Sequence, residues 1–518
     1  MLKIQNYYIF YIILVIILII FIHFHNSNKL IHFDNFDNFD NFDNFDNFDN
    51  FDNFDNFNKL NESDLIPRNV YQFWHYGKLP SKMLYYNNIL KNNNSEFNVF
   101  IYNINDCRLF IKDNFDKDVL NAFDILIPIV YKADLWKYCI LYKYGGIYLD
   151  MKYYPVNNFK FINLIHSEHF CESTKNNNYS IHNGFMISKK NNPILLEAIN
   201  NIVENVKNNF YGNHSLEITG AILLKNIFNK NKLHKKNIIL NHFNKNKNII
   251  LYNDKEILQE YKEYENEKST NGYLSNLSNL YDNKAIYYKI VIPLNIYQTW
   301  FTKDLPIKMQ KCINNLKNTN PEFNHYLYDD NDCRLFIKDN FSEETLNTFD
   351  QIIPGAYKAD FWRYCILYIN GGIYLDIKFQ PINNFKLMNL VNKEYLCKDI
   401  KKSGSGIYNA IMICKPKNKL LLDAINLVIK NVKNNFYGYS SLEPTGPLLF
   451  KKLLTNNYIQ NLDLSLNVIK SNIYISLNEL PILDIYKEYR TEQNTNSNKP
   501  VYDVLWRNKN IYKLVDSV

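Results

Sequence analysis

Apolar positions along residues 65–156 change period several times, and each change marks a predicted element. Short apolar runs between polar residues predict strands, and longer stretches with apolar residues three and four apart predict helices. The predicted strands are Asn69–Phe73, Val99–Tyr102 and Ile147–Met151, and the predicted helices follow Pro80 and span Asp106–Asn114 and Ile129–Tyr142. Strands that alternate with helices are typical of an α/β domain with a mainly parallel sheet. Such sheets bind ligands at the carboxyl ends of their strands.

The whole pattern is written twice along the chain. Asp106–Phe115 returns unchanged as Asp332–Phe341, at an offset of 226 residues, and the correspondence extends over most of the sequence. A repeat of this length is the size of a domain rather than of a solenoid unit. We therefore predict two tandem domains, residues 65–290 and residues 291–518, called the first copy and the second copy below.

The N-terminal part of the chain differs from both copies. Residues 7–24 are apolar except for His23 and, as a helix, span about 27 Å, close to the roughly 30 Å hydrocarbon core of a bilayer. No small-residue cleavage site follows, so we predict an uncleaved single-pass anchor behind a short tail, residues 1–6. Residues 25–64 contain the triplet Phe-Asp-Asn eight times. Its period of three fits neither helix nor strand and predicts a low-complexity stem.

Composition narrows the class of protein. Of the 518 residues 46% are hydrophobic and 21% are charged, which excludes a wholly disordered or fibrous chain. The net charge of +7 becomes about +15 once the eight Asp residues of the stem are set aside. A positive balance suits anionic partners such as nucleotides and diphosphates. The Lys residues are spread out rather than clustered, so nucleic acid is not an expected partner.

One helix–Gly-Gly–strand segment in each copy concentrates polar chemistry. In the second copy Asp360 and Arg363 are three residues apart and share a helix face. In the strand that follows, Tyr374, Asp376 and Lys378 alternate with apolar residues and point to one face, where we expect Asp376 to meet solvent. Charges of both signs at a strand end suit a ligand such as a sugar diphosphate. The first copy repeats the charges at Asp134, Lys137, Asp150 and Lys152.

A structural explanation of these charges stays open at this point. Asp360 and Arg363 can form an ordinary helix ion pair, and Asp376 can cap a turn. The two copies share 19 identities over the 29 positions of this segment. That retention supports a common role, and it also fits a recent duplication.

The string Ala-Asp-x-Trp-Arg-Tyr-x-x-Leu-Tyr-x-x-Gly-Gly-Ile-Tyr-Leu-Asp at residues 359–376 resembles the sugar-binding region, containing the DXD motif, of glycosyltransferase family 32 and related clostridial toxins. A Gln-x-Trp near the start of each copy and a closing aromatic segment, Leu505–Tyr512, also fit this family. The resemblance implies the GT-A fold, a nucleotide-sugar donor, a divalent metal (usually Mn²⁺) and retention of anomeric configuration.

The resemblance also implies roles for individual residues. Asp360, Arg363 and Asn409 would contact the donor sugar, Trp300 would stack on the nucleotide base, and Trp506 would touch the diphosphate. In the first copy the counterparts of the tryptophan and asparagine positions are Trp74 and Asn183.

One position departs from the family pattern. The second carboxylate of DXD is replaced by Lys378 in the second copy and by Lys152 in the first. That carboxylate normally holds a metal that neutralises the diphosphate leaving group. An ammonium can neutralise part of this charge directly, but it repels a nearby cation. Asp376 and Asp150 remain the predicted metal ligands, and use of Mn²⁺ is left open.

These observations predict a membrane-anchored glycosyltransferase of the secretory pathway, with both copies facing the lumen. It would move a sugar from a nucleotide-sugar donor to a glycan, protein or lipid. The second copy is the favoured catalyst because Arg363 offers a bidentate fork that Lys137 lacks. Two alternatives stay open: a nucleotide-sugar- or glycan-binding protein without catalysis, or one active and one binding copy.

Overall fold

The computed structural model describes residues 66–75, 78–173, 180–232, 238–243, 247–270, 277–399, 406–469, 472–496 and 501–513. The predicted tail, anchor and stem lie outside these ranges. None of the helices within the described ranges is both long and apolar enough to cross a bilayer. Residues Asn61–Val518, which hold both copies, form one compact unit. The boundary between residues 290 and 291 stays a prediction.

Each copy builds a mixed α/β structure around one nine-stranded sheet. The first sheet contains β1 (Asn69–Phe73), β2 (Asn98–Tyr102), β3 (Gly146–Leu149), β4 (Tyr153–Pro155), β5 (His169–Ser173), β6 (Ser180–Ser188), β7 (Ile238–Phe243), β8 (Lys247–Tyr252) and β9 (Lys255–Glu260). The second contains β10 (Asn295–Thr299), β11 (Asn324–Tyr328), β12 (Gly372–Leu375), β13 (Phe379–Pro381), β14 (Tyr395–Asp399), β15 (Gly406–Cys414), β16 (Leu464–Ile469), β17 (Asn472–Leu477) and β18 (Leu480–Ile485).

The prediction of a mainly parallel sheet is wrong. The strand order is β2-β1-β3-β6-β5-β7-β8-β9-β4, and the second sheet repeats it as β11-β10-β12-β15-β14-β16-β17-β18-β13. Three of the eight neighbouring pairs in each sheet are parallel and five are antiparallel. The reason lies partly in two-residue turns, Asn253-Asp254 and Asn478-Glu479, which have positive φ angles. Turns this short join only antiparallel strands.

Within the described residues seven helices of each copy have a counterpart in the other, whereas Ala221–Lys230 and Asn456–Gln460 do not match each other. The first copy contains α1 (Ser81–Asn93), α2 (Ile104–Asn114), α3 (Lys117–Ile125), α4 (Ile129–Tyr144), α5 (Pro193–Lys207), α6 (Ala221–Lys230), α7 (Tyr264–Thr270) and α8 (Leu277–Asp282). The second contains α9 (Ile307–Thr319), α10 (Asp330–Asn340), α11 (Glu343–Gln351), α12 (Gly355–Asn370), α13 (Lys419–Lys433), α14 (Asn456–Gln460), α15 (Tyr489–Asn496) and α16 (Tyr502–Arg507).

The turn from α12 into β12 depends on two glycines. Gly371 and Gly372 have φ angles of +61° and +112°, which side-chain-bearing residues rarely adopt. A Cβ at Gly371 would lie 2.6 Å from the Pro416 Cδ, and one at Gly372 would lie 2.7 Å from the Asn295 carbonyl oxygen. The Gly-Gly pair therefore lets the chain reverse against β10 and brings the helix charges beside the strand end.

Apolar layers cover both faces of the sheet. In the second copy Ile373 and Leu375 pack on one side, and Tyr374 packs on the other side with Trp362 of α12. The predicted alternation along β12 is therefore confirmed, and both of its faces are buried. All eight cysteines of the chain lie within the described residues, buried and outside any disulfide.

Candidate active site

Asp360 anchors a buried polar cluster in the second copy. It lies on α12, and its side chain is 12% exposed. Its Oδ1 accepts a hydrogen bond from the Asn409 Nδ2 at 2.9 Å, and its Oδ2 accepts one from the Thr445 Oγ1 at 2.9 Å. Asn409 comes from β15, so helix, strand and loop converge on one carboxylate. The structure thus brings the predicted Asp360 and Asn409 together.

Arg363 links this carboxylate to the strand end. Its Nη2 lies 3.2 Å from the Asp360 Oδ1, and its Nη1 lies 3.6 Å from the Asp376 Oδ1. Nη1 also donates to the Asn409 carbonyl oxygen at 2.5 Å, and the guanidinium lies 4.2 Å from the centre of the Tyr374 ring. The fork of Arg363 therefore spans two carboxylates and directs a separate nitrogen to each of them.

Asp376 and Lys378 form the more exposed end of the cluster. The Lys378 Nζ donates to the Asp376 Oδ2 at 2.7 Å, and the Tyr374 hydroxyl donates to the Oδ1 at 3.0 Å. The side chains of Asp376 and Lys378 are 23% and 14% exposed. Asp376 is thus a paired, largely buried group, and the expectation that it simply faces solvent is wrong. Asp376 and Lys378 are two residues apart and little exposed to solvent, so they pair with each other.

The two carboxyl groups have opposite pKa shifts. Burial raises the pKa of Asp360 above its ordinary value, and the attraction of Arg363 only partly offsets this. Burial also acts to raise the pKa of Asp376, but Lys378 and Arg363 together pull that pKa below its ordinary value. Asp376 therefore stays ionised at neutral pH. The pKa of Lys378 is raised because the attraction of Asp376 outweighs burial, so the ammonium also stays charged.

The first copy repeats the deeper part of this cluster. Asp134 accepts from the Asn183 Nδ2 at 2.9 Å and from the Thr219 Oγ1 at 2.7 Å. The Lys137 Nζ lies 3.0 Å from the Asp134 Oδ1 and 4.0 Å from the Asp150 Oδ1. The single ammonium of Lys137 thus reaches both carboxylates, at longer range than the fork of Arg363 reaches the second.

The outer part of the cluster differs between the copies. The Lys152 Nζ lies 3.7 Å from the Glu260 Oε2, on β9. Lys378 instead pairs with Asp376, two residues away. The two lysines occupy matching positions in the sequence but have different partners.

The predicted aromatic residues take varied positions. Trp300 is 9% exposed and packs in a cluster with Ile377, the residue between Asp376 and Lys378. Trp74 is 4% exposed and packs in the same way with Met151. Both indoles thus lie beside their strand ends, and stacking on a base stays a prediction.

Trp506, on α16, forms a hydrogen bond outside the polar cluster. Its Nε1 donates to the Tyr437 carbonyl oxygen at 2.7 Å, so its one donor is used within the protein. The predicted contact with a diphosphate stays a prediction. The neighbouring Tyr502 packs against Tyr357 of α12, with ring centres 5.8 Å apart.

Sequence reasoning noted the Thr-Gly pairs at Thr219 and Thr445 as family-like but gave no site role to the threonine and tyrosine groups that complete the cluster. The Tyr364 hydroxyl accepts from the Asn409 Nδ2 at 2.8 Å and donates to the Thr445 carbonyl oxygen at 2.7 Å. Tyr138 and Thr219 make the same contacts in the first copy. The signal was the presence of Tyr and Thr at matching positions in both copies, but nothing in either copy's sequence showed that they touch.

The residues present do not fit the divalent metal that the resemblance implies. Such an ion takes several oxygen ligands, whereas both oxygens of Asp376 already receive donors and the next candidate is an ammonium. Within the described parts of the chain no group of three or more His, Cys, Asp or Glu side chains is placed to hold a metal. The donor set therefore does not support the predicted Mn²⁺ at Asp376 or at Asp150.

Comparison with known proteins agrees with the sequence motif. The family model described as glycosyltransferase sugar-binding region containing DXD motif matches residues 78–171 and residues 306–397. An uncharacterised glycosyltransferase, L373, of Acanthamoeba polyphaga mimivirus is 39% identical over 89 residues, which is 17% of this chain and 36% of that protein. The initiation-specific alpha-1,6-mannosyltransferase of Candida albicans is 30% identical over 121 residues, 22% of this chain and 30% of that protein.

The likeness to these proteins is partial in length. The chain spans about a third of each of these two curated relatives. Among solved structures, the PaToxG glycosyltransferase is 14% identical with a TM-score of 0.26, over 32% of this chain and 70% of that chain. The family model thus matches one segment in each copy, and the predicted resemblance to the glycosyltransferases whose sugar-binding region contains the DXD motif is confirmed.

Proposed function

We propose that this protein transfers a sugar from a nucleotide-sugar donor to a hydroxyl group of a glycan, protein or lipid acceptor. The observation that carries the proposal is the buried cluster of Asp360, Arg363 and Asp376 beneath a strand end, within a segment of the matched family. Opposite charges held in fixed positions out of water suit a ligand with both hydroxyl and phosphate groups. A GT-A arrangement of each copy is part of this proposal.

The transfer needs residues that position the donor sugar and residues that stabilise the charge on the leaving diphosphate. The bond between the anomeric carbon and the diphosphate oxygen breaks, and its electron pair leaves with the diphosphate. The acceptor oxygen bonds to the anomeric carbon and loses its proton to the departing diphosphate, with retention of configuration. We assign Asp360 and Asn409 to the sugar hydroxyls, and Lys378 to the leaving diphosphate. Arg363 holds the two carboxylates in place and adds positive charge nearby.

The second copy is the proposed catalyst. Arg363 makes four polar contacts of 3.6 Å or less: with two carboxylates and with the carbonyl oxygens of Ala359 and Asn409. Lys137 in the first copy has a single ammonium for the same task. A more firmly held cluster loses less free energy to reorganisation during the reaction. The first copy would act on another donor or bind without turnover.

The proposal includes attachment to a membrane through residues 7–24, with the copies in the lumen of the secretory pathway. It rests on the apolar sequence of that segment alone. Carbonate extraction of membranes that contain the full chain, compared with a chain that lacks residues 1–24, tests it. Release of the full chain by carbonate contradicts the anchor.

The function is tested by incubating the full chain with a panel of nucleotide sugars and measuring release of the nucleoside diphosphate. GDP-mannose heads the panel, because the Candida albicans relative is named as a mannosyltransferase. We expect turnover with at least one donor, and loss of turnover in Asp376→Asn. The matched control is Asp423→Asn, which makes the same change at a surface ion pair with Lys419 on α13.

Three results are informative. Turnover that survives Asp376→Asn would contradict the assignment of this site. Binding of a donor without turnover would favour the nucleotide-sugar-binding alternative. Neither binding nor turnover across the panel would reject the proposed function.

A further inference from the structure

Lys378 and Lys152 have different ion-pair partners because one residue differs between β9 and β18, the strands that pair with β4 and β13. The strand pairing places Tyr153 opposite Glu260 in the first copy and Phe379 opposite Ile485 in the second. Glu260 therefore reaches Lys152, which follows the strand-end Asp150 by two residues. Ile485, at the matching position of the second copy, is uncharged. Lys378 turns to Asp376 instead.

A second charge difference lies beside the same lysine. The segments Tyr261–Tyr264 and Tyr486–Tyr489 are identical in type, and Arg490 follows where the first copy has Glu265. In the second copy the Lys378 Nζ lies 6.0 Å and the Arg490 guanidinium 5.5 Å from the centre of the Tyr489 ring. One aromatic ring is thus flanked by two cations.

Together with Lys268, which Gln493 replaces, the two differences make the outer site of the second copy two charge units more positive than that of the first. In the first copy Glu260 pairs with Lys152, and Glu265 pairs with Lys268 at 3.0 Å. The first copy thus neutralises its outer cations, and the second copy presents them.

We propose that the second copy binds the diphosphate of its donor without a divalent metal, with the Lys378 ammonium in the place that the metal of a DXD site would take. The inference rests on the proposed function and deepens it. Ile485 is a positioning residue in this proposal, because it leaves Lys378 free to pair with Asp376. Arg490 adds a second cation at the entrance.

Two further observations support this assignment. Asp376 and Lys378 are the most exposed charged members of the cluster, so an anion entering from solvent meets them before Arg363, which is 6% exposed. A metal ion bound to Asp376 would lie next to an ammonium that is 2.7 Å from the same carboxylate. Like charges at such a separation repel strongly where little water screens them. Lys378 therefore disfavours a metal while it favours a diphosphate.

The test measures binding of UDP and of GDP to the full chain by titration calorimetry, in EDTA and in Mn²⁺. We expect one of the two nucleotides to bind the unmutated chain in EDTA, with at most a twofold change in Mn²⁺. Lys378→Met should weaken binding in EDTA roughly 10- to 150-fold, the worth of one charged hydrogen bond. The matched control Lys419→Met, at the surface ion pair with Asp423 on α13, should change it less than twofold.

A second pair of variants leaves Lys378 in place, so it answers the question even if Lys378→Met fails to fold. Ile485→Glu should draw the ammonium away from Asp376 and weaken binding in EDTA at least tenfold. Ile485→Gln, of the same size and without charge, should bind within about threefold of the unmutated chain. Equal losses from both Ile485 variants would overturn the positioning role.

The outcomes separate this inference from the proposed function. Binding that requires Mn²⁺, or equal losses from the Lys378 and Lys419 variants, overturns the metal-free site and leaves the glycosyltransferase proposal standing. If UDP and GDP fail to bind in either condition, and the donor panel fails as well, both proposals are rejected.

Discussion

Replacing Asp376 with Asn should destabilise the second copy by about 2–3 kcal/mol. The change removes the negative charge that lies 2.7 Å from the Lys378 Nζ and 3.6 Å from the Arg363 Nη1. Removing one partner of a buried ion pair costs about 3–5 kcal/mol, because the remaining charge has no counterion. The value here is lower because the Asn oxygen still accepts one hydrogen bond and Lys378 is 14% exposed.

The first copy supplies the matched control. Asp150→Asn removes a long ion pair with Lys137, at 4.0 Å, and Lys137 keeps its 3.0 Å contact with Asp134. Lys152 keeps Glu260. We therefore expect a loss of only about 0.5–1 kcal/mol, in the range of weakly coupled pairs.

Amide hydrogen exchange followed by mass spectrometry measures the two copies separately in one sample. Under conditions where exchange reports the opening equilibrium, a loss of 2–3 kcal/mol accelerates exchange of β12 and α12 about 30- to 160-fold in Asp376→Asn. In Asp150→Asn, exchange of β3 and α4 should rise less than about sixfold. Equal acceleration in the two variants would refute the argument that Lys378, rather than the strand-end position, sets the cost.

Three further outcomes are expected. Burial lowers the folded-state pKa of Lys132 to about 8. Between pH 8 and 10.5 the unfolded chain therefore binds the proton more tightly than the folded chain, and the free energy of unfolding rises by about 3 kcal/mol. Lys132→Met should flatten this rise in urea titrations from pH 7.5 to 9.5, and unchanged slopes would contradict the argument. The double change Asp134→Asn with Asp150→Asn should leave measurable donor turnover, whereas the matching pair in the second copy should abolish it; equal losses would mean that both copies are needed. Gly371→Ala should lower the free energy of unfolding by about 3 kcal/mol, because φ at this position is +61° and the new Cβ would lie 2.6 Å from a proline ring atom. In the control Gly355→Ala the new Cβ has no atom within 4 Å, so the urea midpoint should stay nearly unchanged.

The local pattern of apolar residues predicted the bounds of helices and strands well, but it did not predict the relative direction of neighbouring strands. The strand Asn69–Phe73 has the predicted bounds, and the predicted helix Ile129–Tyr142 extends only two residues further, to Tyr144. These elements follow from periodicity and from the Gly-Gly pair, which are properties of a short stretch of chain. The antiparallel pairing of β3 with β6 and of β4 with β9 joins strands that lie far apart in the chain, so no short stretch of sequence records it.

The candidate site shows the same division. Asp360 and Arg363 were predicted to act together because their spacing on a helix puts them on one face. The partner of Lys378 was not predictable, because it depends on Ile485, more than a hundred residues further along the chain. A contact across a sheet is decided by strand register, and neither composition nor local spacing records register.

The burial of all eight cysteines has a consequence for redox conditions. Since none of these thiols is in a disulfide, the stability of the two copies draws nothing from oxidation. Burial also raises the thiol pKa of Cys107, Cys139 and Cys365 well above the ordinary value, so little reactive thiolate forms at neutral pH. The same folded structure should therefore form with or without reductant. A chain produced in a reducing cytosol and one produced in an oxidising compartment should unfold at the same temperature.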